Sequence, residues 1–180
     1  RAPTLASRVS EISIMGGSTT HGNATAAAEY NIYADPEAAS IVFESGIPIR
    51  MVGLNVTSTF GVTQTELDRL HAANGIGREL AGALQFYLDR QTSTYEHSYA
   101  PMHDTCAVIP YINPLWIEYQ PLHVVVECAG THTRGMTLCD TRGSVIGGEN
   151  ENSQTANAKV AIMADADAII AQAIADLSHD

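Results

Sequence analysis

Short apolar runs and helical patterns alternate along most of this 180-residue sequence, and that alternation limits its possible folds more than any other feature. Runs typical of strands occupy Ile12 to Met15, Ile47 to Val56 and Lys159 to Met163, and a helical pattern follows each of them. Strands that are connected through helices usually pair in parallel. The sequence therefore predicts one α/β domain over residues 1–180, with a layered, mainly parallel sheet that is flanked by helices.

Capping residues mark where the helices begin and end. The tripeptide Asp35 to Glu37 predicts the start of a helix that ends at Gly46. Thr63 predicts the start of a second helix, and Asp165 that of the last one. The apolar spacing over Gly77 to Arg90 predicts a helix between them, and its buried face carries Leu80, Leu84, Tyr87 and Leu88.

The other segments indicate loops and a hairpin. Gln91 to Pro101 is polar and aromatic, which predicts a mobile segment or lid. The helix that follows Asp104 contains Pro110, which we expect to kink or shorten it. Two strand-like runs, "LHVVVECAG" and "GMTLCD", predict a small antiparallel hairpin insertion, and Gly143 to Asn157 is expected to be a polar loop.

The composition excludes some classes of partner. A net charge of −11 argues against the basic patches that binding to nucleic acid or to anionic membranes requires. No apolar run is long enough to span a bilayer. The three cysteines have no close zinc-ligand spacing, which favours free thiols in a reducing compartment and predicts a cytoplasmic protein. Because the chain begins at Arg1, we expect processing or truncation to have removed its natural start.

A loop rich in amide and carboxylate side chains follows the first strand, after Gly16 and Gly17. Its polar residues Asn23, Glu29 and Asn31 together accept and donate hydrogen bonds, which suits a ligand with several hydroxyl groups such as a sugar. The alternative is a loop whose polar side chains only satisfy its own backbone. The residues alone leave both interpretations open.

His103 and Asp104 form the second candidate cluster. An aspartate at a helix N-terminus stays ionised beside the positive end of the helix dipole, and its carboxylate is a good ligand for a hard cation such as Ca²⁺. A histidine titrates near neutral pH and can donate a proton to a leaving group. The alternative, which the spacing by itself favours, is an ordinary helix cap beside a loop histidine.

Both clusters precede a helix, so they can lie at one edge of the sheet, where parallel sheets bind their ligands. Tyr87, Tyr95 and Tyr99 can cover an aromatic base by stacking, although Tyr87 fits core packing equally well. The sequence therefore predicts that the two clusters meet in a single cleft of the size of a sugar.

Much of the sequence resembles the inosine–uridine preferring nucleoside hydrolase family. The resemblance lies in "MGGSTTHGNATAAAEYNIYADPEAASIVFESGIPIRMVGLNVT" and in "PMHDTCAV", which "PLHVVVECAGTHTRGMTLCD" follows at the right distance. Members of that family hydrolyse the N-glycosidic bond of purine or pyrimidine ribonucleosides to a free base and ribose, with a tightly bound Ca²⁺. The resemblance implies a nucleoside hydrolase-like fold, a nucleoside substrate and a homo-oligomer.

The resemblance also implies roles for individual residues. It assigns the ribose pocket to Met15, Asn23, Glu29 and Asn31. Asp104 matches a calcium-ligating aspartate that also touches the ribose, and His103 matches a histidine proposed to protonate the departing base in purine-active members. Tyr87 and the segment 95–99 match, by position only, the helix and loop that cover the base.

One departure from the family is large. Its Asp-x-Asp-x-Gly-x-Asp-Asp stretch, which supplies most calcium ligands and the aspartate that activates water, does not occur in this sequence. We therefore expect the chain to correspond to the C-terminal part of such an enzyme and to hold an incomplete calcium site. Since Ca²⁺ takes about six to eight oxygen ligands, the isolated chain should bind it poorly and be slow or inactive. The alternative function is an inactive fragment or a ribose-binding or nucleoside-binding module, with the missing N-terminal half as its partner.

Overall fold

The computed structural model describes residues 3–96, 98–142 and 155–178. Its strands, in chain order, are β1 (Ile12–Met15), β2 (Ile49–Val52), β3 (Gly61–Val62), β4 (Ala100–Pro101), β5 (Ile117–Val126), β6 (Thr137–Asp140) and β7 (Ala158–Ala164). The main sheet has the order β1-β2-β7-β5-β6, and β3 pairs with β4 in a separate antiparallel sheet.

Four of the five strands in the main sheet run in one direction. β1, β2 and β7 pair in parallel, whereas β5 runs antiparallel to both β7 and β6. The predicted α/β class with a mainly parallel sheet is therefore confirmed, and the predicted hairpin is the pair of β5 and β6. That hairpin is part of the main sheet, because β5 begins at Ile117, earlier than expected, and also pairs with β7.

Three of the helices begin where Asp35, Thr63 and Asp165 predict. In chain order they are α1 (Tyr30–Ala34), α2 (Pro36–Phe43), α3 (Leu54–Thr57), α4 (Gln64–Ala72), α5 (Gly75–Tyr95), α6 (Thr105–Ile112) and α7 (Ala166–Ser178), with 3₁₀ turns over Pro3–Arg8 and Pro114–Trp116. Asp35 accepts a hydrogen bond from the N–H of Ala38 at 3.0 Å, and Asp165 accepts one from Ala168 at 3.0 Å. Thr63 starts α4 with a capping box.

Apolar side chains cover both faces of the main sheet. Met51 and Val52 are neighbours in β2, and their side chains belong to different core clusters because successive residues of a strand point to opposite faces. Phe43 of α2 packs in the cluster around Met51, whereas Ile109 of α6 packs in the cluster around Val52. A third cluster lies between α4, α5 and α7. Helices therefore pack on both faces of the main sheet.

The predicted strand over Ile47 to Val56 is wrong in its second half. β2 ends at Val52, and α3 begins after Gly53. The N–H of Leu54 donates to the carbonyl of Gly17 at 2.9 Å, so the chain turns there against the loop that follows β1. The residues of α3 are mostly buried, as they would be in a strand, and the apolar pattern therefore did not separate the two structures.

The boundary between the third predicted helix and the predicted lid is also wrong. α5 continues to Tyr95, so residues 91–95 are helical, and Glu96 ends the helix with a left-handed φ of 59°. His97, within the predicted lid, lies outside the described residues. Of the four predicted residues of the buried face, Leu88 is buried and Leu84 and Tyr87 pack against the same core cluster, whereas Leu80 is 40% exposed. Gly77 and Ala81 complete that face.

Pro110 does not end α6, which continues to Ile112. Pro110 is itself buried, and the N–H of Asn113 closes the last turn on the carbonyl of Ile109 at 2.9 Å. Most of the predicted polar loop, residues 143–154, lies outside the described residues. Among the helices of the described ranges, none is long and apolar enough to cross a membrane.

Candidate functional site

A pocket of about 500 Å³ opens at the carboxyl end of β1. The loop that follows β1 and the segment that precedes α6 both line it, together with one face of α5. Most residues that the sequence singled out lie on its wall, namely Met15, Asn23, Glu29, Asn31, Tyr87, Tyr95, His103 and Asp104. Tyr99 does not: it lines a different pocket and donates its hydroxyl hydrogen to the carbonyl of Ser58 at 2.6 Å. The two polar clusters therefore meet in one cleft.

Glycine brings the loop after β1 close to the sheet. Gly17 has a φ of 70°, and a Cβ atom there would lie 2.6 Å from Met51 Cε and 2.7 Å from Thr137 Cγ2. A side chain would therefore clash with both neighbours and strain the backbone. The N–H of Gly17 donates to Glu29 Oε2 at 2.9 Å, which ties this loop to a residue of the pocket wall.

Glu29 is buried and serves first as a structural acceptor. Its Oε2 accepts from the N–H groups of Gly17 and Ile32 at 2.9 and 3.1 Å, and its Oε1 accepts from the N–H of Asn31 at 2.8 Å. It caps α1, a helix at a position where the sequence predicts a loop. A carboxylate oxygen has room for two hydrogen bonds, so Oε1 keeps one acceptor position for a ligand.

Each of the two asparagines, Asn23 and Asn31, uses one end of its side-chain amide in hydrogen bonds within the protein. Asn23 Oδ1 accepts from the N–H of Tyr30 at 2.9 Å, which leaves the amide Nδ2 as a donor for a ligand. Asn31 Nδ2 donates to the carbonyl and to the sulfur of Met15 at 3.2 and 3.3 Å, which leaves Oδ1 as an acceptor. With Glu29, the loop therefore offers one donor and two acceptors to the pocket.

His103 is half-buried and held by α3. Its Nδ1 lies 2.8 Å from the hydroxyl oxygen of Thr57, a side chain with no exposed surface. Burial lowers the pKa of His103, and the charges of Asp104 and Glu29 oppose that shift. No local signal in the sequence links Thr57 to His103, because the two residues are 46 positions apart.

Asp104 occupies the N-cap position of α6 without capping it. Its side chain makes no capping hydrogen bond, so the expectation that it caps this helix is wrong. The N–H of Ala107 is bonded instead to the backbone carbonyl of Asp104 at 3.1 Å. The carboxylate is exposed in the pocket, and it therefore remains available to a ligand.

Three side chains of α5 form the wall opposite the loop. Tyr87, Gln91 and Tyr95 are four residues apart and therefore lie on one side of the helix. Tyr87 also packs against the core cluster between α4, α5 and α7, so both interpretations of this residue hold. Gln91 was not predicted, although its spacing from the two tyrosines is visible in the sequence. The other lining residues that were not predicted are Tyr30, Leu54, Ser58 and Pro101.

Comparison with known sequences identifies the family. The sequence model described as inosine-uridine preferring nucleoside hydrolase matches residues 1–171. The pyrimidine-specific ribonucleoside hydrolase RihA of Shewanella woodyi is 40% identical over 143 residues, which are 78% of this chain and 46% of that relative. RihB of Escherichia coli O157:H7, also pyrimidine-specific, is 37% identical over 166 residues, 92% of this chain and 51% of the relative. The chain thus spans about half the length of these two relatives.

Solved structures agree with this result. A purine-preferring ribonucleoside hydrolase from Gardnerella vaginalis is 30% identical with a TM-score of 0.84, and the match covers 98% of this chain and 54% of that one. The plant nucleoside hydrolase PpNRh1 is 30% identical with a TM-score of 0.88, and the match covers 99% and 56% of the two chains. By sequence and by fold, the chain belongs to the inosine-uridine preferring nucleoside hydrolase family.

Proposed function

We propose that the chain forms the ribose-binding part of a ribonucleoside hydrolase that cleaves the N-glycosidic bond to a free base and ribose. The observation that carries this proposal is the single pocket in which the polar loop after β1 faces His103, Asp104 and the tyrosines of α5. A ribonucleoside needs these three surfaces, since it has hydroxyl groups, a bond to be cleaved and a flat base. The pyrimidine-specific relatives favour uridine or cytidine as the substrate.

Different residues of the pocket would orient the ribose and protonate the departing base. Breaking the bond between C1′ and the base nitrogen develops positive charge on the sugar and negative charge on the base. Asn23, Glu29 and Asn31 would orient the ribose through the donor and acceptors that the protein leaves free. His103 would give its proton to the departing base nitrogen, with Nδ1 held by Thr57 and Nε2 turned to the substrate.

Calcium is the cofactor that the family implies, and the described residues of this chain do not form its site alone. Within the described ranges, no group of three or more His, Cys, Asp or Glu side chains could hold a metal ion. Asp104 offers one carboxylate, whereas Ca²⁺ takes about six to eight oxygens. Asp104 would thus contribute one ligand to a site that other parts of the complete fold must finish.

A chimera tests the proposed activity. In it, this chain replaces the 166 residues of RihB from Escherichia coli O157:H7 to which it aligns. We expect the chimera to release ribose from uridine, cytidine or inosine in a reducing-sugar assay, and a calcium chelator to abolish the release. A chimera that is folded and binds ribose but hydrolyses none of the three nucleosides would overturn the proposal.

A binding module is the second candidate function for the chain on its own. The observation in its favour is that one pocket carboxylate, that of Asp104, makes no capping hydrogen bond, beside a loop that still offers hydrogen bonds to a sugar. Calorimetry on the 180-residue chain should then show ribose binding without hydrolysis. Hydrolysis by the chain alone would exclude this alternative.

Replacing Thr57 with valine should lower kcat of the chimera about tenfold at pH 7 while KM changes by less than about twofold. The protonated imidazole of His103 would lose an acceptor in half-buried surroundings, so its pKa would fall further. A general acid works only while it is protonated. The alkaline limb of the kcat profile should therefore move to lower pH, as initial rates between about pH 5 and pH 9 would measure.

Thr57→Ser is the matched control for that experiment, because serine keeps the hydroxyl group. It should retain the wild-type pH profile. If the valine variant also keeps that profile, Thr57 only packs in the core and does not position His103.

Replacing Tyr95 with alanine should weaken uridine binding about fivefold and leave ribose binding unchanged. Stacking of a base on an aromatic ring is worth about 1 kcal/mol at an exposed site, and Tyr95 is 60% exposed. Calorimetry with the two ligands on the same protein separates the base from the sugar. Phe86→Ala is the control, since Phe86 is also an exposed ring of α5 but does not line the pocket. Equal weakening of both ligands would contradict a base-stacking role.

The cellular location and the oligomeric state of the protein are also proposals. The three cysteines are all free, which supports a reducing compartment and hence the cytoplasm. A homo-oligomer is proposed from the family resemblance alone.

A further inference from the structure

The turn of the β5–β6 hairpin has no role in the pocket described so far. The stretch Gly130 to Asp140 carries part of the family resemblance, and the structure describes all of it, yet none of its residues lines the pocket. The N–H of Glu127 closes the hairpin on the carbonyl of Met136 at 2.9 Å, and β6 then begins at Thr137. Residues 134–137, the hairpin end, lie against the polar loop that follows β1 and the helices after it.

Thr137 bonds the start of that loop through its side chain. Its hydroxyl oxygen accepts from the N–H of Ser18 at 2.9 Å and donates its hydrogen to the carbonyl of the same residue at 2.8 Å. Both residues are buried, with 3% of Thr137 and 6% of Ser18 exposed. One hydroxyl group therefore bonds both backbone groups of Ser18, as a neighbouring strand would.

The same side chain packs on Gly17. A Cβ atom at Gly17 would lie 2.7 Å from both Cγ2 and Oγ1 of Thr137, so the hairpin end and the loop are in direct contact there. The N–H of Gly17 donates to Glu29 at 2.9 Å, and the same carboxylate accepts from the N–H of Asn31 at 2.8 Å. An unbroken series of contacts thus joins Thr137 to two of the side chains that would bind the sugar.

The hairpin end also contacts the helices that follow the loop. Gly135 has a φ of 82° and lies against α1, where a Cβ atom on it would be 2.9 Å from the Cα of Tyr33. Arg134 donates from both terminal nitrogens to Glu37 in the first turn of α2, at 2.7 and 2.8 Å. The hairpin end therefore holds the loop where it begins and where it ends.

We propose that the hairpin end is a positioning element that keeps the loop after β1 in its sugar-binding geometry, with Thr137 as the central positioning residue. It acts through the loop, since it does not itself line the pocket. Without the Thr137 hydroxyl, the buried N–H and carbonyl of Ser18 would lose this partner. Gly17 would then be held less firmly opposite Glu29. That the sugar is ribose rests on the proposed function.

Replacing Thr137 with valine tests this role, because valine has nearly the same shape and lacks the hydroxyl. In the 180-residue chain, we expect the amides of Gly17 and Asn31 to exchange at least about tenfold faster and ribose to bind at least about tenfold more weakly. Hydrogen exchange followed by NMR measures the first quantity without any ligand, and calorimetry measures the second. Thr137→Ser keeps the hydroxyl and should restore both to within about twofold of the wild type.

Replacing Gly135 with alanine tests the contact with α1 independently. The added methyl group would meet the backbone of Tyr33, so ribose affinity should fall at least about fivefold. Gly46→Ala is the matched control, because Gly46 also has a positive φ, of 75°, but a Cβ atom there would meet nothing within 4 Å. It introduces the same kind of backbone strain and should leave ribose affinity unchanged.

Three results would overturn the positioning role. They are wild-type exchange of both amides in Thr137→Val, equal impairment by Thr137→Ser and Thr137→Val, and equal loss of ribose affinity in Gly46→Ala and Gly135→Ala. A different result separates this proposal from the proposed function. If the wild-type chain binds no ribose but the two amides exchange faster in Thr137→Val alone of the Thr137 variants, the positioning role is supported and only the proposed ribose site is contradicted.

Discussion

Replacing Asp104 with asparagine should reduce ribose release by the chimera at least about a thousandfold, which corresponds to about 4 kcal/mol of lost transition-state stabilisation. The substitution keeps the shape of the side chain and removes its charge. Asp104 offers both carboxylate oxygens to the pocket, since it makes no capping hydrogen bond to α6. Glu29 cannot replace it, because backbone N–H groups already occupy most of its acceptor positions.

The same substitution should leave the fold almost unchanged. Asparagine and aspartate are about equally good at a helix N-cap, and the helix does not use this side chain. Initial rates and calcium titrations of the chimera, beside thermal unfolding, would measure both effects. Asp68→Asn, at an exposed position of α4, is the control and should retain full activity. If Asp104→Asn keeps more than about a tenth of the rate and the wild-type calcium dependence, Asp104 is not a metal ligand.

The sequence predicts the parts of the fold that local signals determine. Asp35, Thr63 and Asp165 start helices through bonds to residues two or three positions away, so they are visible in any short window. The short helices α1 and α3 were missed because distant contacts determine them. α1 is capped by Glu29, which is held by Gly17, and α3 begins where Leu54 bonds the carbonyl of Gly17.

The sequence also predicts only part of the candidate site. Clustered polar residues and the family resemblance indicated which side chains face the pocket. Neither could indicate how much of each side chain the protein already uses. The amide nitrogen of Asn31 is hydrogen-bonded to Met15, and Nδ1 of His103 is hydrogen-bonded to Thr57. Only the folded chain brings these residues together. The roles of these residues in substrate binding stay predictions until the variants are measured.

Replacing Glu29 with alanine should destabilise the 180-residue chain by about 3 kcal/mol and abolish ribose binding. The N–H groups of Gly17, Asn31 and Ile32 would lose their acceptor, and an unsatisfied buried donor costs about 1 to 3 kcal/mol. The loop after β1 and the start of α1 should loosen together, because this one carboxylate joins them. Urea unfolding measures the stability, and calorimetry with ribose measures the binding.

Glu29→Gln separates the structural role from the ligand role. Glutamine can keep its carbonyl oxygen opposite the N–H groups of Gly17 and Ile32, but its amide NH₂ then faces the N–H of Asn31. We expect a smaller loss of about 1 to 2 kcal/mol in stability, while ribose binding still falls at least tenfold, because the free acceptor of the pocket becomes a donor. Glu79→Ala, at an exposed position of α5, should change neither quantity. Wild-type ribose affinity in a folded Glu29→Gln variant would restrict Glu29 to capping α1, and the pocket would then have to bind the sugar through Asn23 and Asn31 alone.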